Sequence, residues 1–235
     1  MSSLKILSGG AAQGLVASLN PAFNTQTGFD ISGEFGAVGV MADKLRRGAP
    51  ADLVILTAAL LANLANEQLV SAGSIVDVGL VETALAVRVG DPEPTASNTA
   101  ELRDALRAAD AIFIPDTKAS TAGIHAAKVF QQLGIADEIA DRLQVFPNGA
   151  TAMRALAASK AQRPIGCTQS TEIISTKGAT LCGPLPPGCE LATMYTAGIT
   201  TGAAHPQQAQ RLIDLLAGSS QRDQRTRAGF ISGKS

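Results

Sequence analysis

The sequence predicts an α/β fold in two lobes, and three observations predict it. Short apolar runs alternate with stretches of helical periodicity along the whole chain. The run at 51–56 (ADLVIL) is almost continuously apolar, as a parallel strand buried on both faces should be. Several runs end in loops of glycine and other small residues that open a helix, where open α/β sheets take their ligands.

Residues 4–8 read as the first strand, and the small-residue loop Ser8, Gly9, Gly10, Ala11 follows it. A helix at 15–23 places Leu15, Leu19 and Phe23 on one face. Thr27 and Gly28 turn the chain into a strand at 29–34. The loop 35–39 (FGAVG) comes next, then a helix carrying Met41 and Leu45. Gly48 and Pro50 stop that helix, since glycine suits the position after a helix and proline cannot continue one. The strand at 51–56 leads to an amphipathic helix at 57–69. The stretch 81–89 alternates weakly and is long for a local strand, so it reads as a crossing to a second lobe. A polar loop with Pro92 and Pro94 precedes a helix at 99–108, capped by Asn98 or Thr99. A strand at 111–115 feeds a second small-residue loop, 116–123 (DTKASTAG), and a helix at 124–133. A strand at 144–146, a helix at 149–158 and a strand at 165–168 follow. The proline-rich stretch 181–187 is stiff and reads as the return crossing. A strand at 193–200, a helix at 206–216 and a polar tail to 235, with room for a last helix up to 230, complete the chain. The lobes are then 1–82 plus 191–235, and 83–190, with a ligand cleft between them.

Composition excludes several classes. Nineteen Lys and Arg against 20 Asp and Glu give a net charge of −1, so no basic surplus points to nucleic acid or an anionic membrane. With no Trp and one Tyr there is no stacking platform for bases. No stretch approaches the roughly 20 apolar residues of a membrane span. The opening MSSLKILSGG lacks the layout of a signal peptide. The expected location is cytoplasmic as written, or periplasmic if a leader has been removed. Cys167, Cys182 and Cys189 are too few and too scattered for a disulfide framework or a zinc site. Cys182 and Cys189 are either free thiols or a pair formed in an oxidising compartment. No metal is expected, since no His, Cys or carboxylate cluster has ligand spacing.

The order of motifs resembles the molybdate-type solute-binding proteins, of the type II periplasmic-binding-protein fold. FGAVG and then GAPADLVI are similar to that family's FGASG and GAPADVFI. DTKASTAGIHAAKVFQQLGI and AGITTGAAHPQQAQRLIDLLAG resemble its later segments, so the likeness runs over about residues 4–230. The resemblance implies a small-anion ligand and, for a transport role, an ABC permease as partner. The family's usual oxyanion-holding hydroxyls are replaced here by Ala11 and Val38, and its tyrosine by Gln169. At roughly 1.5–3 kcal/mol per charged hydrogen bond, such losses weaken an oxyanion site by orders of magnitude. IGCTQSTEI, GPLP and TAGI look like the aconitate-isomerase branch of the same fold. That resemblance implies a cofactor-independent isomerase interconverting trans- and cis-aconitate. The alternative is a solute-binding protein for molybdate or another small anion.

An allylic isomerase removes a proton beside a carboxylate, returns one elsewhere, and steadies the charge that develops. Candidate ligand-holding residues are Ser8, Gly9, Gly10 and Ala11, Gly36, Ala37 and Val38, and Lys118, Ser120, Thr121, Ala122 and Gly123. Asn148, Gln169 and Ser170 complete the set. Helix N-termini supply the N–H groups, and each Ser or Thr is either a contact or a helix cap. His125 lies in the first turn of a helix beside the second small-residue loop, and its ordinary pKa suits acid–base work. It is a catalytic candidate or a packed imidazole. Glu34 and Glu172 are alternative bases or solvated carboxylates. His205 reads as structural, and Arg46 and Arg47 as surface residues.

Overall fold

A computed structural model describes residues 2–231; the start of the first lobe at Met1 and the tail at 232–235 lie outside the described residues. The chain divides into two compact units, Met1–Val81 with Thr193–Ser235, and Glu82–Ala192. The elements in chain order are β1 (Ser3–Gly9), α1 (Gln13–Thr27), β2 (Asp30–Gly36), α2 (Val38–Arg46), β3 (Leu53–Thr57), α3 (Ala58–Asn66) and β4 (Val76–Arg88). Then follow α4 (Thr99–Ala108), β5 (Ala111–Pro115), α5 (Thr121–Gln132), β6 (Leu143–Phe146), α6 (Gly149–Ala158), β7 (Pro164–Gln169), α7 (Ser170–Ile174) and β8 (Ala179–Pro184). The chain ends with β9 (Ala192–Ile199), α8 (Pro206–Ala217) and α9 (Arg222–Arg227).

In the first unit β1 pairs in parallel with β2 on one side and β3 on the other, and β9 lies antiparallel on β3. The core gathers Leu4, Ile6, Leu15, Leu19, Phe23 and Leu53 with Leu212 and Leu216 of α8. Helix α1 contains Pro21, which removes a helical hydrogen bond. Burial of Leu15, Val16, Leu19 and Phe23 on one face holds the helix together across it.

The GAPAD segment is a buried hub of this unit. The Asp52 carboxylate, 3 % exposed, accepts the backbone N–H of Lys5 and that of His205, each at 2.8 Å. One side chain thereby ties β1 and the start of α8 to β3. His205 also packs edge-on against Phe29, with centroids 5.0 Å apart.

In the second unit β5 lies parallel between β6 and β7, and β4 pairs antiparallel with both β7 and β8. Its helices bury two apolar groups, one around Leu102, Ile112, Val129 and Ile165, the other around Phe113, Met153 and Ile173.

Three details differ from the sequence reading. The strand expected at 29–34 runs on to Gly36, because Phe35 and Gly36 continue the parallel register with Ser8 and Gly9. The loop 35–39 therefore shrinks to Ala37. The proline-rich stretch at 181–187 is not the return crossing. Its first half belongs to β8, hydrogen-bonded to β4, and the chain leaves the second unit only after Ala192. Helix α7 was unexpected; five residues are too few to show a helical period. The cysteines are free thiols, and burial pushes the Cys167 thiol up to about 12.

Candidate functional site

The loops that leave the C-terminal ends of the parallel strands hold most of the expected residues. In the first unit, Ser8 and Gly9 end β1 with Gly10 and Ala11 just after them, and Gly36 ends β2 with Ala37 and Val38 just after it. Parallel pairing aligns Ser8 with Phe35 and Gly9 with Gly36, which brings the two loops side by side. A Cβ on Gly9 would lie 2.7 Å from Val38 Cγ1 and 2.9 Å from Tyr195 Cε1, so glycine alone fits there. Neither α1 nor α2 receives a side-chain cap, since Ala12 and Ala37 hold the cap positions. Ser8 Oγ donates to the carbonyl of Gly9 at 2.9 Å and is fully buried. Tyr195, the single tyrosine, is 2 % exposed beside Gly9. Sequence reasoning missed it, although a lone phenol in a chain so poor in aromatics was a signal.

Glu34 sits on the edge strand β2 with its side chain about half exposed, and Lys44 pairs with it. Arg46 bridges Asp43 and Glu67 on the exposed surface, at 3.0 and 2.8 Å.

In the second unit, the turn after β5 is drawn tight by Asp116, whose Oδ1 accepts the N–H groups of Lys118 and Ala119 at 2.8 and 2.7 Å. Ser120 opens α5 without a side-chain cap, and Lys118 is exposed. A Cβ on Gly123 would overlap the carbonyl oxygens of Pro115 and Asp116, which explains the Ala122-Gly123 pair at this helix start. His125 is half-buried, and its Nε2 lies 2.8 Å from the carbonyl oxygen of Cys189. A carbonyl oxygen only accepts, so Nε2 carries the proton, and in the neutral ring Nδ1 is the acceptor.

Glu172 is buried where α6 and α7 begin. Its carboxylate accepts the hydroxyl of Thr168 at 2.6 Å and the backbone N–H groups of Gly149, Ala150 and Gln169. A Cβ on residue 149 would overlap the Glu172 carboxylate, so glycine is required there too. Burial raises the Glu172 pKa above the ordinary carboxylate value, and the hydrogen bonds offset part of that rise. Asn148 caps α6, accepting the N–H of Thr151 at 2.9 Å. Gln169 and Ser170 are buried at the start of α7. The buried hydroxyls of Thr83 and Thr171 have no hydrogen-bond partner among the described residues. Thr83 is the register partner of Gln169 across β4 and β7. Thr171 follows Ser170 directly in the chain, whereas the position of Thr83 beside Gln169 could not be read from sequence, because it depends on antiparallel pairing across distant segments.

The model of the bacterial extracellular solute-binding protein family matches residues 4–231. The chain belongs to that family. Among solved structures, the Azotobacter vinelandii periplasmic molybdate-binding protein is 18% identical with a TM-score of 0.82, covering 98% of this chain and 100% of that one. The sulfate-binding protein SubI of Mycobacterium tuberculosis is 17% identical with a TM-score of 0.75, covering 98% and 86%. Both are periplasmic-binding-protein folds, and at these identities they establish the fold alone. Among curated proteins, an aconitate isomerase from a Pseudomonas species is 26% identical over 225 residues, 92% of this chain and 83% of its own. As a family member, the chain has no helix among its described residues long and apolar enough to cross a membrane.

Proposed function

We propose that this solute-binding-type protein is a cofactor-independent isomerase of a small unsaturated polycarboxylate, of the trans-/cis-aconitate type. The relationship to the Pseudomonas aconitate isomerase, over nearly the whole chain, carries the reading. The replacement of oxyanion-holding hydroxyls by Ala11 and Val38 supports it over a molybdate ligand. The uncapped starts of α1, α2 and α5 suit carboxylates, which accept backbone N–H groups. The ligand-holding groups on this reading are Ser8–Gly9 and the 36–38 loop, and Lys118, Ser120–Gly123, Gln169 and Ser170. Tyr195 adds a phenol beside Gly9.

The reaction needs one proton acceptor near a methylene group flanked by carboxylates. The base removes a methylene proton, the electron pair shifts the double bond by one carbon, and a proton returns to the formerly vinylic carbon. His125 takes this role in the proposal, because Cys189 fixes its tautomer with Nδ1 as acceptor. Glu172 is left to hold α6 and α7, its oxygens being engaged by Thr168 and three N–H groups.

Proton NMR of the protein with trans-aconitate in deuterated buffer tests the reading. Growth of cis-aconitate signals supports an isomerase, and deuterium uptake shows exchange of the moved proton with solvent. The His125→Ala variant should lose turnover while keeping most of its binding. No cis-aconitate from folded protein removes aconitate as substrate. Stabilisation by a non-reacting anion such as molybdate or sulfate would then favour the receptor reading, which the family description and the molybdate- and sulfate-binding neighbours support.

A further inference from the structure

The second unit contains a cavity of about 440 Å³ at the edge of its sheet opposite the loops described above. Ala109, Pro164 and Ile165 line it, and they stand where β5 and β7 begin, whereas the candidate ligand loops leave the other ends of these strands. Val87 of β4 and one face of α4 wall it, and the 91–95 loop forms the rim. The lining is mostly apolar, and the volume suits a small organic molecule.

The rim loop is held in place. Asp91 pairs with Arg88 at 3.0 Å, and Arg88 also donates to the carbonyl of Ser159. Val89 N–H donates to Gly178 O at 2.9 Å, and Ser97 N–H donates to Glu101 Oε2 at 2.8 Å. Pro92 and Pro94 fix two further φ angles. The cavity is therefore formed before any occupant arrives, which removes an ordering cost.

Its polar lining is acidic. Asp91, Glu93, Glu101 and Asp104 border it. Arg163, also in the lining, pairs with Asp110 at 3.2 Å. Arg88 and Arg103 answer Asp91 and Asp104, and Glu93 has no cationic partner among the described residues. An apolar floor under a net negative rim selects a ligand with an apolar body and a positive charge, and disfavours the anions proposed for the other edge.

We propose that this cavity binds a small organic cation, an ammonium carried on an apolar group, independently of the carboxylate chemistry. Two-dimensional NMR of the whole protein, titrated with phenethylammonium, 2-phenylethanol and 3-phenylpropionate, tests this. The expected result is saturable shifts at the amides of Val87, Ala105, Ala109 and Ile165. The ammonium should bind about tenfold or more tightly than the alcohol, and the carboxylate should not bind. Glu93→Gln, on the exposed loop, should cut the ammonium's advantage by about threefold or more, and raised salt should shrink it. Ala108→Phe, at an exposed lining position, should remove binding of both. Equal affinity for ammonium and alcohol, shifts elsewhere in the chain, or an unaltered advantage in Glu93→Gln would overturn the proposal.

Discussion

Glu172 is a carboxylate spent on the protein's own backbone. Two helix starts, α6 and α7, present N–H groups to it, and Thr168 adds a hydroxyl. No charged side chain among the described residues contributes, and desolvation raises its pKa above the ordinary value near 4.5. For a raised carboxyl, the group's contribution is fully present below the unfolded pKa and is lost as pH rises through the folded one. Glu172→Gln removes that titration. Its stability relative to the native chain should therefore rise as pH climbs above the ordinary carboxylate value, measured as urea midpoints over a pH series. A difference that stays flat with pH would show that Glu172 does not titrate there. Superimposed is a pH-independent cost of about 1–3 kcal/mol, because an amide offers fewer acceptors to the surrounding N–H groups. Glycines at the same loops carry a second residue-scale prediction. Gly123→Ala would press a methyl group into the carbonyls of Pro115 and Asp116, which cannot move without shifting β5. It should cost about 3 kcal/mol, the upper end for overpacking. Gly36→Ala meets only the flexible end of Met41, at 2.9 Å, and should cost less than about 1 kcal/mol. Urea midpoints of the two variants decide; equal losses would mean that the 115–123 turn yields more easily than its backbone contacts imply.

At the scale of elements, Asp52 connects three segments by one side chain. Asp52→Ala leaves the part-buried N–H groups of Lys5 and His205 without their acceptor. A loss of about 2–6 kcal/mol follows from about 1–3 per orphaned donor. Asp52→Asn keeps one acceptor and should lose about half of that. On the isomerase reading, both variants should match the native chain's dissociation constant for trans-aconitate in the folded state; a large change in affinity would place Asp52 in ligand binding. The GAPAD motif thus marks the family through its architecture. Much of the element order was legible for a similar reason. The runs at β3 and β5 are buried on both faces and read as apolar almost without interruption, and glycine closes the ends of α1 and α2. The β2 boundary and β8 were not legible, because pairing with distant strands decided them, and α7 was too short to show a helical period. The same limit hid Thr83 and Tyr195, whose neighbours at the site come from other strands, while Glu172 stood out only as one carboxylate among several.

At the scale of the whole molecule, the isomerase and receptor readings spend binding energy differently. A receptor gains by holding its ground-state ligand tightly, whereas an enzyme gains only from contacts that strengthen in the transition state. Ligand at one hundred times its dissociation constant stabilises the folded state by about 2.7 kcal/mol, which for a chain of this length raises the melting temperature by on the order of 5–10 °C. A receptor should show that shift at low micromolar ligand with no new product. An isomerase should show it only at concentrations near its working KM, together with cis-aconitate. Tyr195→Phe separates the readings further. Removing the phenol beside Gly9 while keeping the ring should leave the melting temperature of the free protein within about 2–4 °C, the effect of about 1 kcal/mol. If the hydroxyl steadies charge that appears during the proton shift, kcat should fall by about tenfold or more, while KM changes little. If it merely holds a resting carboxylate, KM or the dissociation constant should rise and kcat should stay, which is the pattern of uniform binding. Pairing the kcat and KM of Tyr195→Phe with those of His125→Ala then tells a proton-moving centre from a binding loop that happens to contain a histidine.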